Sequence, residues 1–234
     1  MEIKEREEGV ERLYPSLLSP RYYYLVQLRK QIETVVSQFI TKSKGLTLAD
    51  YGCGNMPYEP LVASHVQEYI GIDLEENPRA KIHITPQGKI QLGDEQMDVV
   101  LSTQVLEHVV DPLFYLSEAK RILKPESLLI LSTHGYWMFH PDPTDYWRWT
   151  SAGLQKIITE SGFEIIYFRG IIGRSAMGLQ LFQDGLLFKL PSFLRPVLAL
   201  FLQPLIAFFD KTTSQATKDR DACTFVVVAR KART

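Results

Sequence analysis

The chain has 234 residues, of which 45% are hydrophobic and 23% charged, with 26 basic side chains against 27 acidic ones. That is enough apolar material for one sizeable core. The even charge lacks the basic surplus expected of a nucleic-acid binder, so no nucleic-acid partner is expected. Cys53 and Cys223 are too few and too far apart for a disulfide framework and suit a reducing compartment. The charged start, MEIKEREEGVER, has no apolar signal core, so a cytoplasmic protein is expected.

Residues 1–20 read as a polar, mobile lead closing on Pro15 and Pro20. From Tyr22 to Ile40, Leu25, Leu28, Ile32, Val35, Val36 and Phe39 recur every three or four positions and predict an amphipathic helix, stopped at Lys44–Gly45. Short apolar runs then predict strands at Leu46–Tyr51, Glu68–Asp73, Met97–Ser102, Ser127–Thr133, Glu164–Arg169 and Thr224–Ala229. Helical stretches fall between them at Pro60–His65, Pro112–Leu123 and Ser151–Ser161. Such alternation implies an α/β domain with a largely parallel sheet.

Residues 171–220 break the rhythm. Their longest charge-free part, Pro196–Phe209, has 14 residues and is interrupted by Gln203 and Pro204. A membrane span needs roughly 20 apolar residues, so the readings are a lid, a homodimer face, or a membrane-surface helix over 190–209. The chain thus divides into a lead and helix (1–44), an α/β domain (45–170 with 221–234) and an apolar helical insertion (171–220).

The strongest signal lies at the first strand, Asp50-Tyr51-Gly52-Cys53-Gly54. Glycines at a strand end let the backbone turn sharply and approach a ligand. Asp73 follows at the tip of the second strand, beside Leu74, where a carboxylate can accept from ribose hydroxyls. Pro57 stands where a dinucleotide fingerprint would place its last glycine, which argues against a dehydrogenase. Cys53 reads as small packing within the turn.

These pieces resemble the class I S-adenosylmethionine (SAM)-dependent methyltransferases of the small-molecule, type 11-like kind. The likeness covers about 45–170, with a last strand at 223–231. Asp50-x-Gly52-x-Gly54 resembles the family's first motif, which cradles the methionine part of SAM, and Asp73 its ribose ligand. Asp98-Val99-Val100 resembles the start of the fourth strand. Ser102-Thr103-Gln104-Val105-Leu106-Glu107-His108 resembles the cofactor-lining segment after it, and Leu123-Lys124-Pro125 the turn before the fifth strand. The resemblance implies a Rossmann-like, doubly wound, three-layer sheet with an antiparallel last strand. It also implies SAM as cofactor, held by Asp50, Gly52, Cys53, Gly54, Asp73, Leu74, Thr103 and Gln104, with S-adenosylhomocysteine as product. The family's third glycine and the acid after its third strand are missing; Thr85 or backbone groups stand in for that acid at the adenine.

Ligands of open α/β sheets lie outside the carboxyl ends of the strands. All three tryptophans and two of the five histidines fall in 134–150, after the fifth strand. An acceptor wall of Tyr136, Trp137, His140, Tyr146 and Arg148 suits a small organic or sugar-like molecule, with Arg148 able to hold a carboxylate or phosphate. The structural alternative packs Tyr146, Trp147 and Trp149 under the next helix, with Thr150 as its N-cap and Arg148 paired to Asp145. His134 and His108 are the candidate bases. His134, His140, Asp142 and Asp145 have metal-ligating chemistry, but a proline-broken loop seldom gathers such groups, and no metal is expected. The expected function is methyl transfer to a small molecule, of glycan or secondary metabolism by resemblance. The alternatives are a silent SAM-binding scaffold and an enzyme acting on a lipid-linked acceptor at the membrane surface.

Overall fold

The computed structural model describes residues 9–40, 45–141 and 144–232. Helix α1 (Tyr22–Phe39) buries Leu28, Ile32, Val35 and Val36, the face set by its three-and-four spacing. The sheet follows as β1 (Thr47–Tyr51), β2 (Glu68–Leu74), β3 (Ile82–Ile84), β4 (Met97–Thr103), β5 (Leu123–His134), β6 (Phe163–Gly173) and β7 (Ala222–Lys231). Helices α2 (Glu59–Val62), α3 (Pro112–Ile122), α4 (Ser151–Glu160), α5 (Arg174–Leu187), α6 (Arg195–Thr212) and α7 (Gln215–Arg220) connect them.

The strand order is β3-β2-β1-β4-β5-β7-β6. β3, β2, β1, β4 and β5 are mutually parallel, and β7 runs antiparallel between β5 and β6. This is the doubly wound fold expected from the sequence. Its order reverses beside β1, so the crevice opens where β1 and β4 end. Burial on both faces explains why the inner strands read as continuous apolar runs. One core cluster joins α1 to Leu48, Val99, Ile130 and Val226. The other packs α3 and α4 on the opposite face through Leu116, Ile122, Leu154 and Ile158. Asp111 caps α3 by accepting from the Phe114 N–H, with Pro112 in the first turn. Thr150 caps α4 through the Gly153 N–H.

The structure departs from the sequence reading at three places. Residues 9–20 are packed rather than a loose lead: Leu13 is buried, and its carbonyl accepts from Arg29. Leu123-Lys124-Pro125 belongs to β5 rather than to a turn; the register shifts between Met97 and Val99, and Glu126 takes a φ of 64°. β6 runs on to Gly173, so the apolar insertion starts with α5. The expected stop at Lys44 lies outside the described residues, while Gly45 has a φ of 106°.

Candidate active site

β1 ends in the glycine turn because two of its residues must leave the normal backbone region. Gly52 and Gly54 have φ of 78° and 48°. A Cβ on Gly52 would stand 2.6 Å from a Val105 methyl, whereas one on Gly54 would meet nothing within 4 Å. The inner side of the turn is therefore closed and its outer side open. The N–H groups of Gly52 and Cys53 donate to the Ile72 carbonyl at 2.8 and 3.2 Å, tying the turn to β2.

Asp73 stitches the turn further. Its Oδ2 accepts from the Gly54 N–H at 2.7 Å and from Asn77 Nδ2 at 2.8 Å, and its Oδ1 from the Leu74 N–H at 2.8 Å. Asn77 also donates to the Gly54 carbonyl at 2.9 Å. Leu74 itself is exposed. A carboxylate offers about four lone-pair directions, so Oδ1 retains room for one hydroxyl. Asp50 lies beneath the turn, buried. Its Oδ2 accepts from the Tyr69 hydroxyl at 2.6 Å, while Oδ1 has no partner. Burial pushes the Asp50 carboxyl up to about 7, against the pull of Tyr69. An open turn, a ribose-competent acid and an unpartnered buried oxygen, which suits an ammonium, together fit SAM. Burial raises the Cys53 thiol, so it is not a nucleophile at neutral pH.

Past β4, Gln104 takes a φ of 57°. Its amide donates to Ser132 Oγ at 3.0 Å and accepts from the Tyr24 hydroxyl at 2.9 Å, so it joins the ends of β4 and β5 to α1. Thr103 is buried under it. Thr85 closes a local turn, its N–H donating to the Lys89 carbonyl and its hydroxyl accepting from the Lys89 N–H.

The aromatic loop is sewn to the strand ends by its backbone. Tyr146 and Trp147 donate to the Glu107 carbonyl, and Trp149 to that of His134. Trp137 is buried between the Tyr24 and His134 rings, at 4.4 and 4.7 Å, and so forms floor rather than open wall. Tyr136 and Tyr146 are exposed. Arg148 is spent internally, its guanidinium meeting both Asp145 oxygens and the carbonyls of Trp137, Met138 and Trp147. Those contacts use all five of its N–H donors, so Arg148 straps the loop and has none left for an acceptor.

The histidines divide by environment. His134 is buried; its Nδ1 meets Thr224 Oγ1 at 3.2 Å and its Nε2 lies 3.4 Å from Glu107 Oε1. Burial drives the His134 pKa well down and pushes that of Glu107 up. Thr133 donates to Glu107 Oε2 at 2.8 Å, while Oε1 has no hydrogen bond. His108 Nδ1 faces the Thr144 carbonyl at 2.7 Å. His140 keeps a side chain 24% exposed, with Nδ1 3.2 Å from Asp145 Oδ2 and 3.2 Å from the Met138 carbonyl. No hydrogen bond among the described residues engages its Nε2. Burial lowers the His140 pKa, with Met138 and Asp145 opposing. Burial would raise that of Asp145, but Arg148 and the His140 N–H hold it well below the usual carboxylate range. Glu107, His134 and His140 bring donor atoms within 4.8 Å of one another, as do His108, His140 and Asp145. Asp142, the remaining metal-type candidate, lies outside the described residues.

Asn77, Tyr24 and Tyr69 were not singled out by the sequence, although each braces a site residue. A methyltransferase-domain family profile matches residues 24–166. A Mycolicibacterium smegmatis protein described as "Probable S-adenosylmethionine-dependent methyltransferase" is 26% identical over 170 residues, covering 66% of this chain and 64% of that protein. A Cereibacter sphaeroides ubiquinone biosynthesis O-methyltransferase is 37% identical over 103 residues, or 38% of this chain and 42% of the relative. The chain thus spans less than two thirds of either relative's length. Among solved structures, the [4+2]-cyclase SpnF superposes with a TM-score of 0.58 at 17% identity, covering 89% of this chain and 82% of its own. The profile covers more than half of the chain and meets a glycine turn, a ribose-competent acid and a strand order of the matching kind, and on these grounds the chain belongs to the class I SAM-dependent methyltransferase family.

Proposed function

We propose that this protein transfers the methyl group of SAM to a hydroxyl of a small organic acceptor, with His140 as general base. The observation that carries the base is the His140–Asp145 contact. With Nδ1 3.2 Å from both the Asp145 carboxylate and the Met138 carbonyl, and the Arg148 Nη2 donor farther off at 3.5 Å, we place the ring proton on Nδ1. Nε2 is then left with a free lone pair for an acceptor proton. A lowered pKa keeps that lone pair available at neutral pH. His134 has no such freedom, being buried flat against Trp137.

The turn at 52–54 and Asp73 would hold SAM, which supplies a methyl group on a sulfonium already activated for departure. The protein's share is placement of the acceptor and removal of its proton. Tyr136 and Tyr146, exposed on the loop, supply an apolar face with polar tips for a ring or sugar. The name of the Cereibacter relative favours an oxygen acceptor. A binding-only role is the competing reading, since a shared fold does not by itself supply methyl transfer.

The test begins by following labelled methyl from SAM into a panel of phenols, sugars and quinols. On the acceptor found, His140→Ala should lower kcat by about 10²–10⁴-fold while SAM affinity stays within about twofold. Activity should persist after dialysis against EDTA, which separates a base from a metal held by the same side chains. An unchanged kcat in His140→Ala would remove His140 from the chemistry. Tight SAM binding without transfer to any acceptor would favour the scaffold.

A further inference from the structure

The α5–α6 hairpin is amphipathic the wrong way round for a water-soluble surface. Beside Ala176, Met177, Ala199 and Ile206, its buried face holds Gln180, Gln183, Asp184, Gln203 and Asp210. Its outer face carries phenylalanines instead, with Phe188, Phe193 and Phe201 exposed by 85%, 74% and 72%. A helix on water normally shows the opposite pattern. The run Ser192–Thr212 is apolar and long enough to cross a membrane by length and composition, yet only 17% of it is buried against the protein.

The polar stripe is used. Gln180, Gln183 and Gln203 all donate to the Pro20 carbonyl, at 3.0, 2.6 and 2.7 Å. Gln203 Oε1 accepts from the N–H of Tyr23 at the start of α1. Asp210 accepts from the Tyr23 hydroxyl, the Gly173 N–H and Lys218. These bonds fasten one side of the hairpin to the body, so α6 cannot leave it to span a bilayer.

We infer that the outer face of this hairpin seats the protein on a lipid surface that contains anionic lipid. The charges point to lipid rather than to a second copy. Lys189, Arg195 and Lys211 are exposed around the phenylalanines, whereas both carboxylates of 174–212, Asp184 and Asp210, are turned inward. A two-fold dimer would press this face against itself and offer those cations no acid. Anionic headgroups supply it, while the aromatic rings enter the acyl boundary. The arrangement also sets the active site at that surface. Tyr23 is held by the hairpin, and the next residue, Tyr24, donates its hydroxyl to Gln104 and packs its ring against Trp137.

The full chain should co-sediment with vesicles of phosphatidylcholine plus phosphatidylglycerol, and far less with phosphatidylcholine alone. Lys189→Ala with Arg195→Ala should weaken binding roughly 30-fold, about fivefold per basic residue. Replacing Phe188, Phe193 and Phe201 together by Asp should weaken it at least ~tenfold further. Both sets lie on the free face, so SAM affinity and melting temperature should hold, which shows that the variants fold. Alkaline carbonate should release the bound protein. Failure to sediment with either vesicle, or sedimentation untouched by the Phe substitutions, would overturn the inference. So would resistance to carbonate, which means a span, or a lipid-free dimer that the same substitutions dissolve.

Discussion

Asp73 and Asn77 allow a test of how the cofactor turn works, because one is expected to touch SAM and the other to act through it. Asp73→Ala removes the acceptor for a ribose hydroxyl, a charge-assisted hydrogen bond worth about 1.5–3 kcal/mol. That corresponds to roughly a 10- to 150-fold rise in Kd. It also strands the Gly54 N–H, which donates to Asp73 Oδ2 at 2.7 Å. Asn77→Ala leaves the ribose acceptor in place and removes the braces to Asp73 and the Gly54 carbonyl, at 2.8 and 2.9 Å, together with the Oδ1 that accepts the Arg79 N–H at 3.0 Å. These neutral-donor bonds on a half-exposed loop should cost about 0.5–1.5 kcal/mol, or roughly two- to tenfold. If Asn77 works by aiming the carboxylate, the double variant should bind no more weakly than Asp73→Ala alone. Isothermal titration of SAM against the four proteins reads all of this, with the wild type expected in the micromolar range, about −8 kcal/mol. Asp73→Ala within threefold of wild type would refute the ribose assignment. Fully additive losses would refute the aiming role.

Three further substitutions probe the same surroundings. Asp50 is protonated more readily folded than unfolded, since burial raises its pKa to about 7. Its contribution to stability is therefore full only below about pH 4 and fades as pH rises through 7, by about 2–3 kcal/mol between pH 5 and 8. Asp50→Asn should remove that slope in urea titrations, and parallel curves for the two proteins would contradict it. Gly52→Ala adds a Cβ 2.6 Å from Val105 at a φ of 78° and should cost about 1–3 kcal/mol in unfolding. Gly54→Ala, at a φ of 48° but facing open space, should cost only its backbone strain, about 1 kcal/mol, with no clash added, while weakening SAM. Equal losses of stability in both would sink the distinction. Arg148→Lys, with three donors for five partners, should destabilise by about 1–3 kcal/mol and lower kcat more than it raises the acceptor KM. An effect on acceptor KM alone would make Arg148 a substrate ligand after all.

Much of the sheet was legible because buried parallel strands announce themselves as apolar runs, and the glycine turn with Asp73 marks the cofactor end. Other features hide for physical reasons. Pro125 disguises the start of β5, since proline argues against a strand interior; here it lies in the stretch where pairing with β4 shifts register. Residues 9–20 look loose because their anchors are backbone groups, the Leu13 and Pro20 carbonyls, and backbone acceptors leave no mark on composition. Asn77 sits in a turn where no periodicity singles it out. The hairpin was legible only as an apolar break that left a lid, a dimer face or a membrane-surface helix open, because composition does not say that Phe188 and Phe201 point outward.

The choice among the histidines shows why position along a strand does not assign chemistry. His134, at the tip of β5, has the place a base would take. However, the two sides of the site are set to opposite electrostatic states. On the inner side burial disfavours charge on both Glu107 and His134, whose Oε1 and Nε2 lie 3.4 Å apart without a hydrogen bond. On the outer side Asp145 stays ionised because Arg148 grips both its oxygens. That anion orients His140 without having to take its proton. A base needs a free lone pair and a partner that stabilises the charge it acquires, and only the outer pair offers both. Exchanging Asp145 for Asn should therefore depress kcat and shift the pH–rate midpoint downward, as the developing imidazolium loses its counter-charge. Exchanging Glu107 for Gln should instead lower stability and leave that midpoint where it was.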